Sequence, residues 1–260
     1  MSGSVSAAPG KTPRVAGNTC TGLIKLIAVF FMLIDHSAIL FFKNASFYIE
    51  LRLLGRIALP LFAWGCVLGC EYTRNIWLYA LRVLAAGFAI QWLYMPVMNH
   101  DWTYLNIFFT LSVGILAVAL LRELPPWLGI PLCAAAVALP CLVQLLTGAG
   151  MDYSWKGVLL ILILYLCRKD AAALAAAFFA FCLFWGGGTS AVRSFFGIPF
   201  SWPAAFNPLL EPMTRLQFFG ILALPVILVR PRFDFRVPLW VSYAIYPAHL
   251  LLLAAIRCFT

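Results

Sequence analysis

At 260 residues, 64% hydrophobic and only 10% charged, with a mean hydropathy of +0.96, the chain is far from the make-up of a soluble domain, which is about half apolar and a quarter charged. Its formal charge of +9 is scattered over many short loops and does not cluster on one amphipathic or disordered segment. That pattern excludes a nucleic-acid partner and points to membrane topology. The cysteines at 20, 66, 70, 133, 141, 167, 182 and 258 have neither paired zinc spacing nor the density of a disulfide scaffold, so they read as small buried hydrophobes and no metal is expected.

A bilayer core about 30 Å thick is crossed by about 20 apolar residues. Such runs stand at Gly22–Phe42, Leu53–Cys70, Ile76–Val97, Tyr104–Leu121, Trp127–Leu146, Gly157–Cys167, Ala171–Trp185, Leu216–Val229 and Leu239–Phe259. The fold class is therefore all-α: a polytopic membrane helix bundle of about nine helices, eight to ten, with the lipid bilayer as its solvent. The sixth and seventh runs are short, which predicts a tilted pair, broken helices packed within the bundle, or a count off by one.

The first twenty residues, with Gly, Ser, Pro, Lys11 and Arg14, are too polar for a signal peptide. They read as a flexible cytoplasmic segment, 1–20, ahead of one domain over 21–260. The long connection Gly186–Arg215, rich in Gly, Pro and aromatics including Trp202 and Phe206, is expected to lie on or dip into the membrane. With the N-terminus inside, Lys11, Arg14, Lys25, Arg74, Arg82, Arg122, Arg168, Lys169, Arg230, Arg232 and Arg236 collect on the cytoplasmic side. Lys43, Arg52, Arg56, Lys156, Arg193, Arg215 and Arg257 fall outside. The positive-inside bias favours this orientation.

An ionisable side chain at membrane depth costs a few kcal/mol and faces the bundle interior or a wet cavity, which makes it a functional-site candidate. In the first helix Lys25 and His36 are eleven residues apart, which returns them to one face about 16 Å apart along the axis. Against this stands the bland reading of His36 as an interior histidine bonded to a carbonyl. Asp35 is the sequence neighbour of His36, so it does not share its face and is free to orient an imidazole on another turn or helix. Arg56 lies inside an apolar run, where snorkelling to the outer interface competes with a role in the site. Glu71, Arg74 and Arg82 form a basic cytoplasmic rim that topology alone also explains.

Asn106 and Thr110, at i,i+4, share one face in the outer half, where interhelical hydrogen bonding is the competing account. The last helix carries Tyr243, Tyr246 and His249 around Pro247, which should kink it and free carbonyls. His100, beside Asp101 in an external loop, reads as solvated.

Taken together, Ile-Asp35-His36, Gly55-Arg56-Ile-Ala-Leu-Pro60-Leu-Phe-Ala, Tyr72-Thr73-Arg74-Asn75, Asn106-Ile-Phe-Phe-Thr110-Leu and Tyr246-Pro247-Ala-His249-Leu resemble the TraX family, associated with N-terminal acetylation of conjugative pilin. That family is similar to the wider transmembrane acyltransferases, including the type-three sugar O-acyltransferases, whose first helix carries a basic residue, ten residues and a histidine. Lys25 and His36 match that spacing. Ser37-Ala38 follow His36 where a glycine is expected nearby, and Cys141–Trp185 matches nothing in the pattern.

The resemblance implies an acyltransferase-like domain over 21–260 in the bacterial cytoplasmic (inner) membrane. It implies acetyl-CoA or another acyl-CoA as donor, bound from the cytoplasm, and an amine or hydroxyl of an exported peptide, pilin or glycan as acceptor. His36 is then the essential residue, with Asp35 stabilising its imidazolium. Lys25, Arg74 and Arg82 suit the donor phosphates. Arg56, Asn106, Thr110, Tyr246 and His249 are placed to hold the acceptor or the developing oxyanion. A small proton- or solute-coupled transporter, with the buried His, Asp and Arg residues as a relay, is the alternative.

Overall fold

A computed structural model describes residues 15–259 apart from 193, 201, 202, 234 and 236. Lys11, Arg14, Arg193, Trp202 and Arg236 therefore lie outside the described residues.

The chain is an all-α bundle in which each of the nine apolar runs carries helical structure. The elements are α1 (Thr21–Phe41), α2 (Tyr48–Gly55), α3 (Ala58–Tyr72), α4 (Ile76–Met98), α5 (Ile107–Glu123), α6 (Pro126–Thr147), α7 (Ser154–Cys167) and α8 (Ala171–Gly186). They are followed by the short α9 (Asn207–Leu210), by a 3-10 stretch Leu216–Ala223 running into α10 (Leu224–Leu228), and by α11 (Leu239–Phe259). Among the described residues, five helical stretches are both long and apolar enough to span a bilayer: α1, Tyr48–Tyr72, α4, α6 and Trp240–Phe259.

The centre of the bundle is α3 and α5, which are apolar on all sides as buried helices are. Helix α5 packs on α4, α6 and α7, while α3 packs on α1 and α7. Helix α6 turns a broad apolar face outward, with Trp127, Ile130, Leu142, Leu145 and Leu146 exposed, as lipid-facing side chains are. The short sixth and seventh runs are two separate helices, α7 and α8, with Asp170 capping α8 by accepting from Ala173 N.

Helix α2 was not foreseen as a separate element. Pro60 lacks the N–H that would bond the Arg56 carbonyl four residues back, and the helix breaks at Arg56–Ile57 between α2 and α3. The break sets Arg56 facing inward.

The last residues of the 1–20 segment that the structure describes, from Val15 on, are tied to the bundle. Trp64 is fully buried and its Nε1 donates to the Asn18 carbonyl at 2.8 Å, while Asn18 donates from Nδ2 to the Val226 carbonyl at 3.0 Å. Arg230 donates to the Val15, Ala16 and Gly17 carbonyls. A Cβ at Gly17 would collide with the Trp64 ring and the Ile227 carbonyl, so only glycine allows the approach.

In the Gly186–Arg215 connection a two-residue hairpin pairs β3 (Ser194–Phe195) with β4 (Ile198–Pro199). Phe196 and Ile198 are exposed there. At the far end of the bundle two other short strands, β1 (Tyr104–Leu105) and β2 (Gly150–Met151), pair in parallel and tie the α4–α5 linker to the α6–α7 linker.

Candidate functional site

Among the described residues, two sizeable cavities enter the bundle. The larger, about 770 Å³, is lined by Asp35, His36, Lys43, Arg52, Arg56, Tyr94, His100, Asp152 and Tyr246 among others. The smaller, about 390 Å³, holds Lys25, Arg82, Ser242 and Tyr243 within a mainly apolar wall. Phe62 and Tyr246 line both cavities. They lie toward opposite ends of α1, because Lys25 and His36 are about 16 Å apart along the helix axis.

His36 Nδ1 lies 3.0 Å from His249 Nε2, and the ring of Tyr246 packs edge-on against His249 with centroids 4.6 Å apart. One imidazole donates and the other accepts. When His36 donates from Nδ1, its Nε2 keeps a lone pair that can take a proton. His249 is 4% exposed and fixes the orientation of His36, the part the sequence left open for Asp35.

Asp35 is instead held by two arginines. Its Oδ1 lies 2.5 Å from Arg56 Nη2 and its Oδ2 lies 2.9 Å from Arg52 Nη1. Arg56 also donates from Nε to the Arg52 carbonyl at 3.2 Å. Arg56 is 5% exposed, so it pairs inside the bundle and does not snorkel to the interface. Gly55 permits this, since a Cβ there would run into the Asp35 side chain.

Asn106 and Thr110 are both fully buried, and neither lines the cavity. Asn106 is the N-cap of α5, outside the helical turn assumed for an i,i+4 pair. Its Oδ1 accepts from Phe108 N at 3.0 Å and its Nδ2 donates to Gln91 Oε1 at 2.8 Å and to the Gly87 carbonyl at 2.9 Å. Thr110 Oγ1 donates to the Asp152 carbonyl. Asn106 thus bonds to α4, and Thr110 to the linker ahead of α7.

At the other end Lys25 Nζ donates to Ser242 Oγ at 2.9 Å, a neutral partner, and among the described residues no carboxylate pairs with it. Arg82 lines the same cavity, whereas Arg74 is exposed and outside its lining. Residues assigned to one side of the membrane also meet one another: Arg168 pairs with Glu71 at 2.8 Å, and Arg122 donates to the Cys70 carbonyl at 2.5 Å.

Sequence reading missed three parts of the larger cavity. Arg52 was read only as a loop cation. His100 is exposed, as expected of a solvated loop residue, and its ring also stacks on Tyr104 and Tyr94 at 4.2 and 5.5 Å between centroids. Asp152 accepts from Tyr104 Oη at 2.9 Å and from Tyr94 Oη at 3.0 Å. Burial pushes its carboxyl above the usual range, and the two phenol hydrogen bonds pull the other way. The Asp152 backbone is presented by left-handed residues at Tyr153 (φ 62°) and Ser154 (φ 46°). Two consecutive non-glycine residues in that region are a strained arrangement of the kind that marks functional sites. The available sequence signal was one carboxylate between two apolar runs, Gly150-Met-Asp152-Tyr-Ser.

No solved structure matches the chain. It is 35% identical over 106 residues to the "Probable fimbrial assembly protein FimC, serogroup H1" of Dichelobacter nodosus, an overlap covering 36% of this chain and 43% of that protein. The match thus spans less than half the length of the curated relative. The family model described as TraX protein matches residues 21–257, nearly the whole helix bundle and both cavities, and the chain belongs to the TraX family.

Proposed function

We propose that this chain is an acyltransferase of the bacterial cytoplasmic membrane, moving an acetyl group from cytoplasmic acetyl-CoA to an amine or hydroxyl of an exported acceptor. The acceptor we favour is a peptide N-terminus of pilin type, in keeping with the fimbrial-assembly name of the relative. The observation that carries the reading is His36, in the wall of one cavity and backed by the buried His249, with the cation Lys25 in a second cavity on the same helix.

In this mechanism the donor enters the Lys25 cavity. Lys25 and Arg82 hold phosphate through charge-assisted contacts, and the acyl thioester reaches past Phe62 and Tyr246 toward His36. The acceptor nitrogen or oxygen attacks the thioester carbonyl while His36 Nε2 takes its proton. The carbon–sulfur bond then breaks, the proton passes from His36 to the leaving thiolate, and free coenzyme A and acylated acceptor remain. His249 holds His36 in the tautomer that makes this exchange available.

The test is acetyl transfer from acetyl-CoA to a panel of peptides and sugars by protein purified in detergent. His36→Ala should lower kcat by at least about 100-fold. Lys25→Ala should raise KM for the donor with little change in kcat, as for a group that binds without reacting. Undiminished transfer by His36→Ala removes it from the chemistry. A transporter predicts no turnover and no rise in melting temperature with coenzyme A, whereas a donor that binds the folded state alone must raise it.

A further inference from the structure

The larger cavity contains a charge imbalance that the transfer reaction leaves unused. Asp35 is shared by Arg52 and Arg56, with side chains 9%, 17% and 4% exposed respectively. One carboxylate against two guanidiniums leaves one net positive charge in a largely buried wall. Among the described residues no other carboxylate lies within 4.0 Å of either arginine. The second carboxylate of the cavity, Asp152, takes hydrogen bonds from two phenols and acts on Arg56 only from beyond ion-pair distance. Lys43 and Arg257 line the same cavity from exposed positions, so the lining holds four permanent cations against two carboxylates.

Burying an uncompensated charge is costly, and such charges are normally paired. A wall organised around Asp35 and still one charge positive is therefore a half-finished ion pair, open on its cavity side. A guanidinium matches planar carboxylate or phosphate geometry through paired N–H donors, and Lys43 and Arg257 add a converging field at the mouth.

We propose that the Arg52 wall, with Lys43 and Arg257 at its rim, is a binding site for an anionic group, a carboxylate or a phosphate, carried by the acceptor. The acceptor class is then an amine or hydroxyl compound with an acidic group near the acylated atom. The site places that group on the arginine wall of the cavity that also holds His36. The assignment of the anion to the acceptor rests on the transfer reaction proposed above; the anion site itself does not.

The test compares two acceptors, the dipeptide amides Ala-Glu and Ala-Gln, which differ only in the charge of one side chain. Native protein should prefer the glutamyl compound by about tenfold in kcat/KM, equivalent to about 1.4 kcal/mol. The preference should fall toward unity in Arg52→Gln. The double variant Lys43→Gln/Arg257→Gln, altered only at exposed side chains, should lose part of it and keeps the test decisive if Arg52→Gln does not fold. Equal use of the two dipeptides by native protein overturns the proposal while leaving transfer intact.

If neither dipeptide is acetylated, the transfer reading fails for peptides, and melting temperature with inorganic phosphate reads the anion site alone. Stabilisation of native protein that is lost in Arg52→Gln sustains it, and no stabilisation overturns it. Two further arms address other sources of the same chemistry. Arg52-dependent stabilisation in phosphatidylglycerol nanodiscs over phosphatidylcholine nanodiscs, with no dipeptide preference, assigns the site to a lipid headgroup. A raised KM for acetyl-CoA in Arg52→Gln, with none in Lys25→Ala, assigns it to the donor phosphates. Either result overturns the acceptor assignment.

Discussion

Replacing Asp35 with asparagine strands two arginines on one buried wall. Removing one partner of a buried ion pair typically costs 3–5 kcal/mol, and the partial exposure of Arg52 places Asp35→Asn at the lower end, about 3 kcal/mol, measured as a fall in melting temperature in detergent. The double variant Asp35→Asn/Arg56→Gln should cost less than the sum of the single changes, because the two residues share one interaction. Strict additivity would show that they are not coupled. Gly55→Ala should resemble Asp35→Asn in the same melt, since the added methyl takes the space of the carboxylate. For His249, substitution by alanine leaves His36 without its partner at 3.0 Å, and kcat should drop by about 10- to 100-fold while KM for the donor stays near its native value. Sequence reading singled out both histidines but could not pair them, because they stand 213 positions apart and only the contact of α1 with α11 brings them together.

Elements decide what a polar side chain does as much as its type. Asn106 and Thr110 share one helical face only if the helix begins before Asn106. In the structure α5 begins at Ile107, and Asn106, extended as a cap, spends its side chain on Gln91 and Gly87 of α4. Asn106→Ala should therefore cost about 2–3 kcal/mol, from the lost cap and a stranded Gln91. It should leave KM for both substrates close to native per folded molecule. A large rise in acceptor KM without loss of stability would return Asn106 to the site. The break between α2 and α3 is legible in Pro60 once the missing N–H is counted back to Arg56. Its consequence, an arginine turned inward to Asp35, is not.

Across the whole molecule, the cations divide between two ends, Lys25 and Arg82 at one cavity and Lys43, Arg52, Arg56 and Arg257 at the other. The orientation favoured by the positive-inside bias predicts that Lys43→Cys reacts with a membrane-impermeant maleimide on intact cells. Arg74→Cys should react only after permeabilisation. The background for this experiment replaces Cys141 and Cys258, the exposed native cysteines among the described residues. The reverse labelling pattern would invert the bundle and put the Lys25 cavity on the exported side, out of reach of a cytoplasmic donor.

What the sequence determined by itself follows from local and periodic physics. Apolar runs of bilayer length dictate a helix bundle, because lipid offers no partner for unpaired backbone groups. Eleven residues of helix put Lys25 and His36 on one face. Only the tertiary structure decided which groups meet across helices: His36 with His249, Asp35 with Arg52 and Arg56, and Asp152 with Tyr94 and Tyr104. These pairings depend on relative rotation and depth of separate helices, set by the packing of many weak apolar contacts. No single residue or spacing carries that information, so the sequence showed Lys25 and His36 toward opposite ends of one helix and not the residues each of them meets.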